Sequence, residues 1–85
     1  MSEEILIRFG RVIRQIRIEK RISQEEFADM CGMHRSYMSD VELGKRNISL
    51  ENIERISRAF NMTIAQIFLM IEDGYSANSK SKLKV

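Results

Sequence analysis

Apolar residues recur at intervals of three and four along most of the chain, which is the spacing of amphipathic α-helices. Five such segments are separated by short polar stretches, so we predict an all-α domain of five helices. The first covers residues 3–20, the second lies between Ser23 and Gly32, and the third begins at His34 or Arg35 and is closed by Gly44. The fourth and fifth cover residues 50–60 and 64–72. The predicted core positions are Ile5, Leu6, Phe9, Val12, Ile13, Ile16, Phe27, Ala28, Cys31, Met38, Val41, Leu50, Ile53, Ile56, Phe60, Ile64, Ile67, Phe68 and Ile71.

Residues that favour helix ends mark the boundaries of these segments. Ser23 is a predicted N-cap, and Glu26 three residues later would complete a capping box. Gly32 is expected to end the second helix with a positive φ, and Asn61 is expected to end the fourth in the same way. Further N-caps are predicted at Ser2, Ser49 and Thr63, and a helix end at Gly74.

Two short helices joined at Gly32 form the pattern of a helix-turn-helix. Met33 is the apolar residue of the turn, and Ala28 is small, as expected where two helices cross closely. In this motif the second helix places its N-terminal residues against base edges, while the first crosses the DNA backbone. The pattern therefore predicts a DNA-binding protein whose recognition helix begins near Arg35.

Size and composition limit the chain to one domain of a soluble class. It has 85 residues, of which 44% are hydrophobic and 31% charged, and it contains no proline. No stretch approaches the ~18 consecutive apolar residues of a membrane span. No basic region precedes an apolar block at the N-terminus, so we expect no secretory signal and a cytoplasmic, nucleoid-associated protein. Cys31 is the only cysteine, which suits a reducing compartment.

The charge is not distributed evenly. The formal net charge is +2, but without Lys80, Lys82 and Lys84 it becomes −1. We therefore predict a DNA-binding and dimerisation domain over residues 1–74 and a flexible basic tail over residues 75–85. Because the domain itself is not globally basic, DNA binding must depend on basic side chains gathered on one face.

The helix-turn-helix segment also resembles a known family. The runs that carry the similarity are Ser23–Ala28, Gly32–Met33, Ser36–Ser39, Val41–Glu42, Gly44–Asn47, Ser49–Ile53 and Phe60–Met62. Together they resemble the lambda-repressor/Cro-type (XRE) DNA-binding domain over roughly residues 9–71. Among its members, the chain is most similar to the small controller proteins of restriction–modification systems. The resemblance implies a compact five-helix, lambda-repressor-like fold.

Helix-turn-helix geometry selects the candidate base contacts. Arg35, Ser36 and Ser39 face outward near the start of the recognition helix, and Arg35 suits a guanine edge. A phosphate clamp is the alternative for Arg35. Asp40 has a carboxylate that phosphates repel, so we expect it to face outward without a DNA contact.

Other polar residues are candidates for contacts with the DNA backbone. The resemblance places Gln24 near the backbone, and Tyr37 either packs at the edge of the core or donates its hydroxyl to a phosphate. Lys45, Arg46 and Asn47 follow the recognition helix in a loop, where phosphate contacts are expected. The resemblance also implies a structural ion pair between Arg17 and Glu42.

Dimerisation is expected because one recognition helix reads only a few base pairs. Apolar residues occupy more than one side of the fifth helix, so a second surface must cover them. The alternative is that they only close the monomer core. The predicted interface residues are Met62, Ile64, Ala65, Phe68 and Leu69.

These features predict a sequence-specific transcriptional regulator that binds double-stranded DNA as a homodimer on a (pseudo)palindromic operator. An autoregulatory controller of a restriction–modification system is the leading hypothesis. A prophage Cro, repressor or antitoxin-type protein is one alternative, and an interaction module without DNA binding is another. RNA polymerase is a further candidate partner. We predict no enzyme activity, no cofactor and no metal, because His34 and Cys31 are too few ligands for a structural zinc site.

Overall fold

The computed structural model describes residues 2–73, with side chains from Glu4 onward. It contains α1 (Ser2–Glu19), α2 (Gln24–Cys31), α3 (Arg35–Glu42), α4 (Leu50–Ala59) and α5 (Ile64–Glu72), and no strand within that range. The predicted all-α fold of five helices is confirmed. The side chain of Ser2, the predicted helix end at Gly74 and the predicted tail of residues 75–85 lie outside the described part of the chain.

The helices surround one core that contains residues from all five of them. α1 packs on α3 and α5, α2 packs on α3 and α4, and α4 packs on α5. The rings of Phe27 and Phe60 stack at its centre, with centroids 4.2 Å apart. Burial of such rings contributes a large share of the hydrophobic free energy of a small domain. The buried apolar residues are Phe9, Val12, Ile13, Ile16, Phe27, Ala28, Cys31, Met38, Val41, Ile53, Ile56, Phe60, Ile67 and Ile71.

Five of the predicted core positions differ from this arrangement. Leu50 is the first residue of α4 and is 78% exposed, because it lies at the end of the helix and at the edge of its apolar stripe. Ile5 and Phe68 are also exposed, and Leu6 and Ile64 are only half-buried. Phe68 makes one edge-to-face contact with Phe9, with ring centroids 6.4 Å apart.

Hydrogen bonds at the helix starts explain most of the boundaries. The hydroxyls of Ser49 and Thr63 accept from backbone N–H groups three residues later, as predicted. Ser23 accepts from the Glu26 N–H at 3.0 Å, but Glu26 does not return the bond within the described residues, so the predicted capping box is only half formed. The complete capping box lies at Thr63, where Gln66 accepts from the Thr63 N–H at 2.9 Å.

Candidate DNA-binding surface

The turn between α2 and α3 depends on Gly32. Its backbone is left-handed, with φ 70° and ψ 35°. The Gly32 N–H donates to Asp29 O at 3.0 Å, and the Met33 N–H donates to Ala28 O at 2.8 Å. These are the two bonds of a Schellman motif, which stops a helix and redirects the chain. The positive φ predicted at Gly32 is confirmed, and so is the one predicted at Asn61, with φ 57°.

α3 has one face in the core and one face in solvent. Met38 is fully buried and Val41 is 2% exposed, so they anchor the helix to the domain. Arg35 and Ser36 are exposed, and Ser39 is half-buried at the edge of the open face. The three candidate base contacts therefore lie together along the accessible side of α3.

Glu42, at the end of α3, is buried and joins three helices. Arg17 Nε lies 2.7 Å from Glu42 Oε2, and Arg17 Nη2 donates to Glu42 Oε1 at 3.0 Å. Arg17 Nη1 donates to Ile22 O at 2.9 Å, and Gln24 Nε2 donates to Glu42 Oε1 at 3.1 Å. Bidentate geometry of this kind is strong and directional. It fixes the end of α3 against α1 and against the start of α2.

Four residues form a second group next to the recognition helix, which we call the Arg46 cluster: Tyr37, Asp40, Arg46 and Asn52. The guanidinium carbon of Arg46 lies 5.1 Å from the centroid of the Tyr37 ring. Arg46 Nε lies 3.5 Å from Asp40 Oδ2, and the Tyr37 hydroxyl accepts a hydrogen bond from Asn52 Nδ2 at 3.0 Å. Asp40 therefore pairs with a basic side chain instead of standing alone in solvent.

The remaining candidates lie around this surface. Gln24 and Tyr37 are half-buried, and Lys45, Arg46 and Asn47 are exposed in the loop after α3. His34 occupies the N-cap position of α3 without a side-chain cap bond. Within the described range, no three His, Cys, Asp or Glu side chains are grouped so that they could hold a metal ion.

Gly10 is a structural residue that the sequence pattern did not single out. An ideal Cβ atom on Gly10 would lie 2.3 Å from Val41 O and 2.6 Å from Glu42 O. α1 therefore approaches the C-terminal end of α3 more closely than any larger residue allows. A glycine in the middle of an otherwise helical pattern was the available signal.

A second surface is formed by the outer side of α5. Phe68 is 39% and Leu69 50% exposed, and Ala65 between them in the helical projection is also exposed. Beside Phe68, an apolar groove of about 300 Å³ is lined by α1, α4, α5 and the loop after α3, with Ile5 and Phe9 in its wall. Met62 and Ile64, the other two predicted interface residues, are half-buried and pack against the core.

Among the described residues, no helix is both long and apolar enough to cross a membrane.

Comparison with known proteins identifies the family of this chain. A family described as Helix-turn-helix matches residues 13–67. The chain is 49% identical over 63 residues to control protein C.BamHI of Bacillus amyloliquefaciens. This alignment covers 73% of this chain and 78% of that protein. It is 44% identical over 70 residues to control protein C.MunI of a Mycoplasma species. This alignment covers 81% of this chain and 95% of that protein.

A solved structure shows the same architecture. The restriction–modification controller protein C.AhdI from Aeromonas hydrophila superposes with a TM-score of 0.72 at 40% sequence identity, covering 74% of this chain and 96% of that one. The fold, the motif at Gly32 and these similarities agree with one another. The chain thus belongs to the helix-turn-helix (XRE-type) family of DNA-binding transcription regulators, which are not enzymes, and within that family it is of the control-protein type.

Proposed function

We propose that this protein is an autoregulatory controller of a restriction–modification system that binds a (pseudo)palindromic operator as a homodimer. The observation that carries the proposal is the presence of two separate exposed surfaces on one small domain. One is the polar side of α3, and the other is the apolar side of α5. The names of the relatives support the biological role, since they include control proteins similar over most of their length.

The DNA contacts follow from the accessible side of α3. Arg35, Ser36 and Ser39 read base edges in the major groove, where an arginine that donates two hydrogen bonds to a guanine is the commonest specific contact. The backbone contacts come from the flanking residues Gln24, Tyr37, Lys45, Arg46 and Asn47. The Arg17–Glu42 pair supports these contacts indirectly, because it sets the position of α3 and of Gln24.

The dimer contact follows from the exposed side of α5. Ala65, Phe68 and Leu69 present an apolar face that the monomer leaves in water, which is unfavourable at about 25 cal/mol per Å² of apolar surface. A second copy of the chain covers this face by a two-fold contact, with Ile5 at its edge. Met62 and Ile64 support the face from within the domain. Two-fold symmetry would then bring two recognition helices to half-sites about one helical turn apart.

Two alternative functions can be distinguished from the proposed one. A prophage Cro, repressor or antitoxin-type protein would use the same two surfaces, and the genes next to this one separate it from a controller. An interaction module without DNA binding would lack a preferred DNA sequence.

For activation, RNA polymerase is the proposed partner, and Glu25 and Glu26 at the start of α2 offer exposed carboxylates for that contact.

Selection of duplexes from a random DNA pool at two salt concentrations tests the DNA-binding part. We expect two inverted half-sites centred 10–10.5 base pairs apart, or a multiple of that spacing. A single asymmetric half-site would contradict the two-fold operator. Duplexes recovered without sequence preference at both salt concentrations would contradict sequence-specific regulation altogether.

Light scattering at tens of micromolar tests the homodimer. We expect the mass of a dimer for the wild-type chain and that of a monomer for Phe68→Gln combined with Leu69→Gln. The matched control is Met30→Gln on α2, which removes an apolar side chain of similar exposure, 49%, from outside the proposed interface. A monomeric wild-type chain, or loss of the dimer in the control, would contradict the assignment of α5.

A further inference from the structure

The Arg46 cluster connects three elements next to the recognition helix. Tyr37 and Asp40 belong to α3, Arg46 to the loop that follows, and Asn52 to the first turn of α4. Asn52 donates to the hydroxyl of Tyr37, and the ring of the same tyrosine lies under the guanidinium of Arg46. α4 is therefore linked to Arg46 through a single aromatic side chain.

Arg46 is held while its charged end stays accessible. Its side chain is 52% exposed, and the contact with Asp40 uses Nε. Within residues 2–73, no hydrogen bond engages either Nη atom of Arg46. The ring below and the carboxylate beside it restrict the rotamers of a long side chain that still remains about half exposed.

We propose that Asn52 is a positioning residue for DNA binding, which acts through Tyr37 to hold Arg46 in a conformation ready to meet a phosphate. The proposal rests on the contact between Arg46 and the DNA backbone proposed above. Asn52 itself touches no DNA in this scheme. Without the hydrogen bond to Asn52, the half-buried Tyr37 ring loses one of the contacts that fix its orientation, and the surface that orders Arg46 becomes less well defined.

The size of the effect follows from the exposure of the cluster. A solvent-exposed cation–π contact and an exposed ion pair are each weak, so their loss lowers DNA affinity about threefold to tenfold and does not abolish it. The ordering of Arg46 before binding reduces the entropy lost when the complex forms. The effect of Asn52 on affinity should therefore be much smaller once Arg46 is absent.

A double-mutant cycle on a DNA duplex selected by the wild-type protein from a random pool tests this coupling. We expect Asn52→Ala to weaken binding about threefold to tenfold in the wild-type background and less than about twofold in the Arg46→Ala background. Asn52→Leu keeps a side chain of similar size but cannot donate to the Tyr37 hydroxyl, so it should weaken binding as Asn52→Ala does. Thermal unfolding of each variant sets a temperature at which all of them are folded, and Asn52→Leu provides the same test if Asn52→Ala is too unstable.

The control variant is Glu51→Gln, which changes the neighbouring exposed residue on the same turn of α4. Its effect on affinity should be equal in both backgrounds. Equal effects of Asn52→Ala with and without Arg46 would overturn the proposal, because they would indicate a direct or purely structural role of Asn52. If Arg46→Ala alone leaves affinity and salt dependence unchanged, the proposed backbone contact fails first, and the positioning role fails with it.

Discussion

A Cβ atom on Gly10 would lie 2.3 Å from the carbonyl oxygen of Val41, which is closer than real Cβ contacts allow. α1 thus contacts the last turn of α3 directly through main-chain atoms. Because the obstructing atoms belong to the main chain, no side-chain rotation can relieve the overlap. The placement of α3 on the domain depends on the absence of one methyl group.

Gly10→Ala is therefore expected to destabilise the protein, although alanine is the better helix former by about 1 kcal/mol. Overlap with the backbone must displace α1 from α3, and we expect a net loss of about 2 kcal/mol or more in the free energy of unfolding. Urea denaturation followed by circular dichroism measures it. Arg14→Ala, at an exposed position in the same helix, should change stability by no more than about 0.5 kcal/mol. Equal stabilities of the two variants would show that α1 and α3 can separate without cost.

The ion pair between Arg17 and Glu42 gives a second prediction. Their side chains are 11% and 3% exposed, so Arg17→Met leaves a buried carboxylate without its cation. We expect a loss of about 3–5 kcal/mol in the free energy of unfolding, partly recovered when Glu42→Leu is added. Arg58→Met is the matched control, because Arg58 pairs with Glu54 at 3.5 Å on an exposed helix face. That variant should lose less than about 1 kcal/mol. Similar losses of stability in Arg17→Met and Arg58→Met would show that burial does not make the Arg17–Glu42 pair more important than an exposed one.

Arg35 and Arg46 should differ in how their loss affects DNA binding. Arg46→Ala should weaken binding to all sequences alike and reduce the log–log salt slope by about 0.9, because one phosphate contact is lost. Arg35→Ala should instead lose about 1–3 kcal/mol of discrimination at one or two base pairs. Affinity measured at several salt concentrations, together with a repeated binding-site selection, separates the two effects. An unchanged sequence preference for Arg35→Ala would make Arg35 a phosphate contact.

Cys31 gives a prediction about pH. Burial raises the pKa of its thiol from 9.0 to about 11, against a smaller lowering by the charge of Arg55. The unfolded chain thus releases the thiol proton near pH 9, while the folded chain keeps it until about pH 11. The buried thiol contributes fully to the free energy of unfolding below pH 9. This contribution falls by about 2–3 kcal/mol as pH rises from 9 to 11.

Urea denaturation of the wild-type chain and of Cys31→Ala across this pH range isolates the contribution, since other titrating groups are common to both. The difference in stability between the two should shrink as pH rises toward 11. A constant difference would mean that the thiolate is accommodated as well in the folded protein as in water.

The sequence predicted the helices well because their signals are local. The caps at Ser49 and Thr63 and the left-handed turns at Gly32 and Asn61 depend only on nearby residues. The helix-turn-helix and the exposed start of α3 followed from the same local chemistry together with a family resemblance. No such signal shows which part of an apolar stripe meets another helix, so Leu50 was wrongly assigned to the core.

The remaining features depend on contacts between elements distant in sequence. The close approach at Gly10 joins residues more than thirty positions apart, and spacing alone could not reveal it. The hydrogen bond from Asn52 to Tyr37 arises only when the start of α4 is placed beside α3, and the pairing of Asp40 with Arg46 depends on how the loop after α3 turns back toward that helix. Ser57 is a buried polar residue that the apolar pattern of α4 does not indicate; its hydroxyl donates to the nearby Glu54 carbonyl oxygen at 2.8 Å, so no polar group is left unpaired.

The side chains of α3 fall into two groups, those that hold the helix on the domain and those that stay outside the core. Met38, Val41 and Glu42 hold the helix in place, whereas Arg35 and Ser36 take no part in the core. Replacement of the outward pair therefore leaves the interior intact. A lineage of such proteins can drift toward new binding sites, one exposed side chain at a time, without first having to evolve a new scaffold.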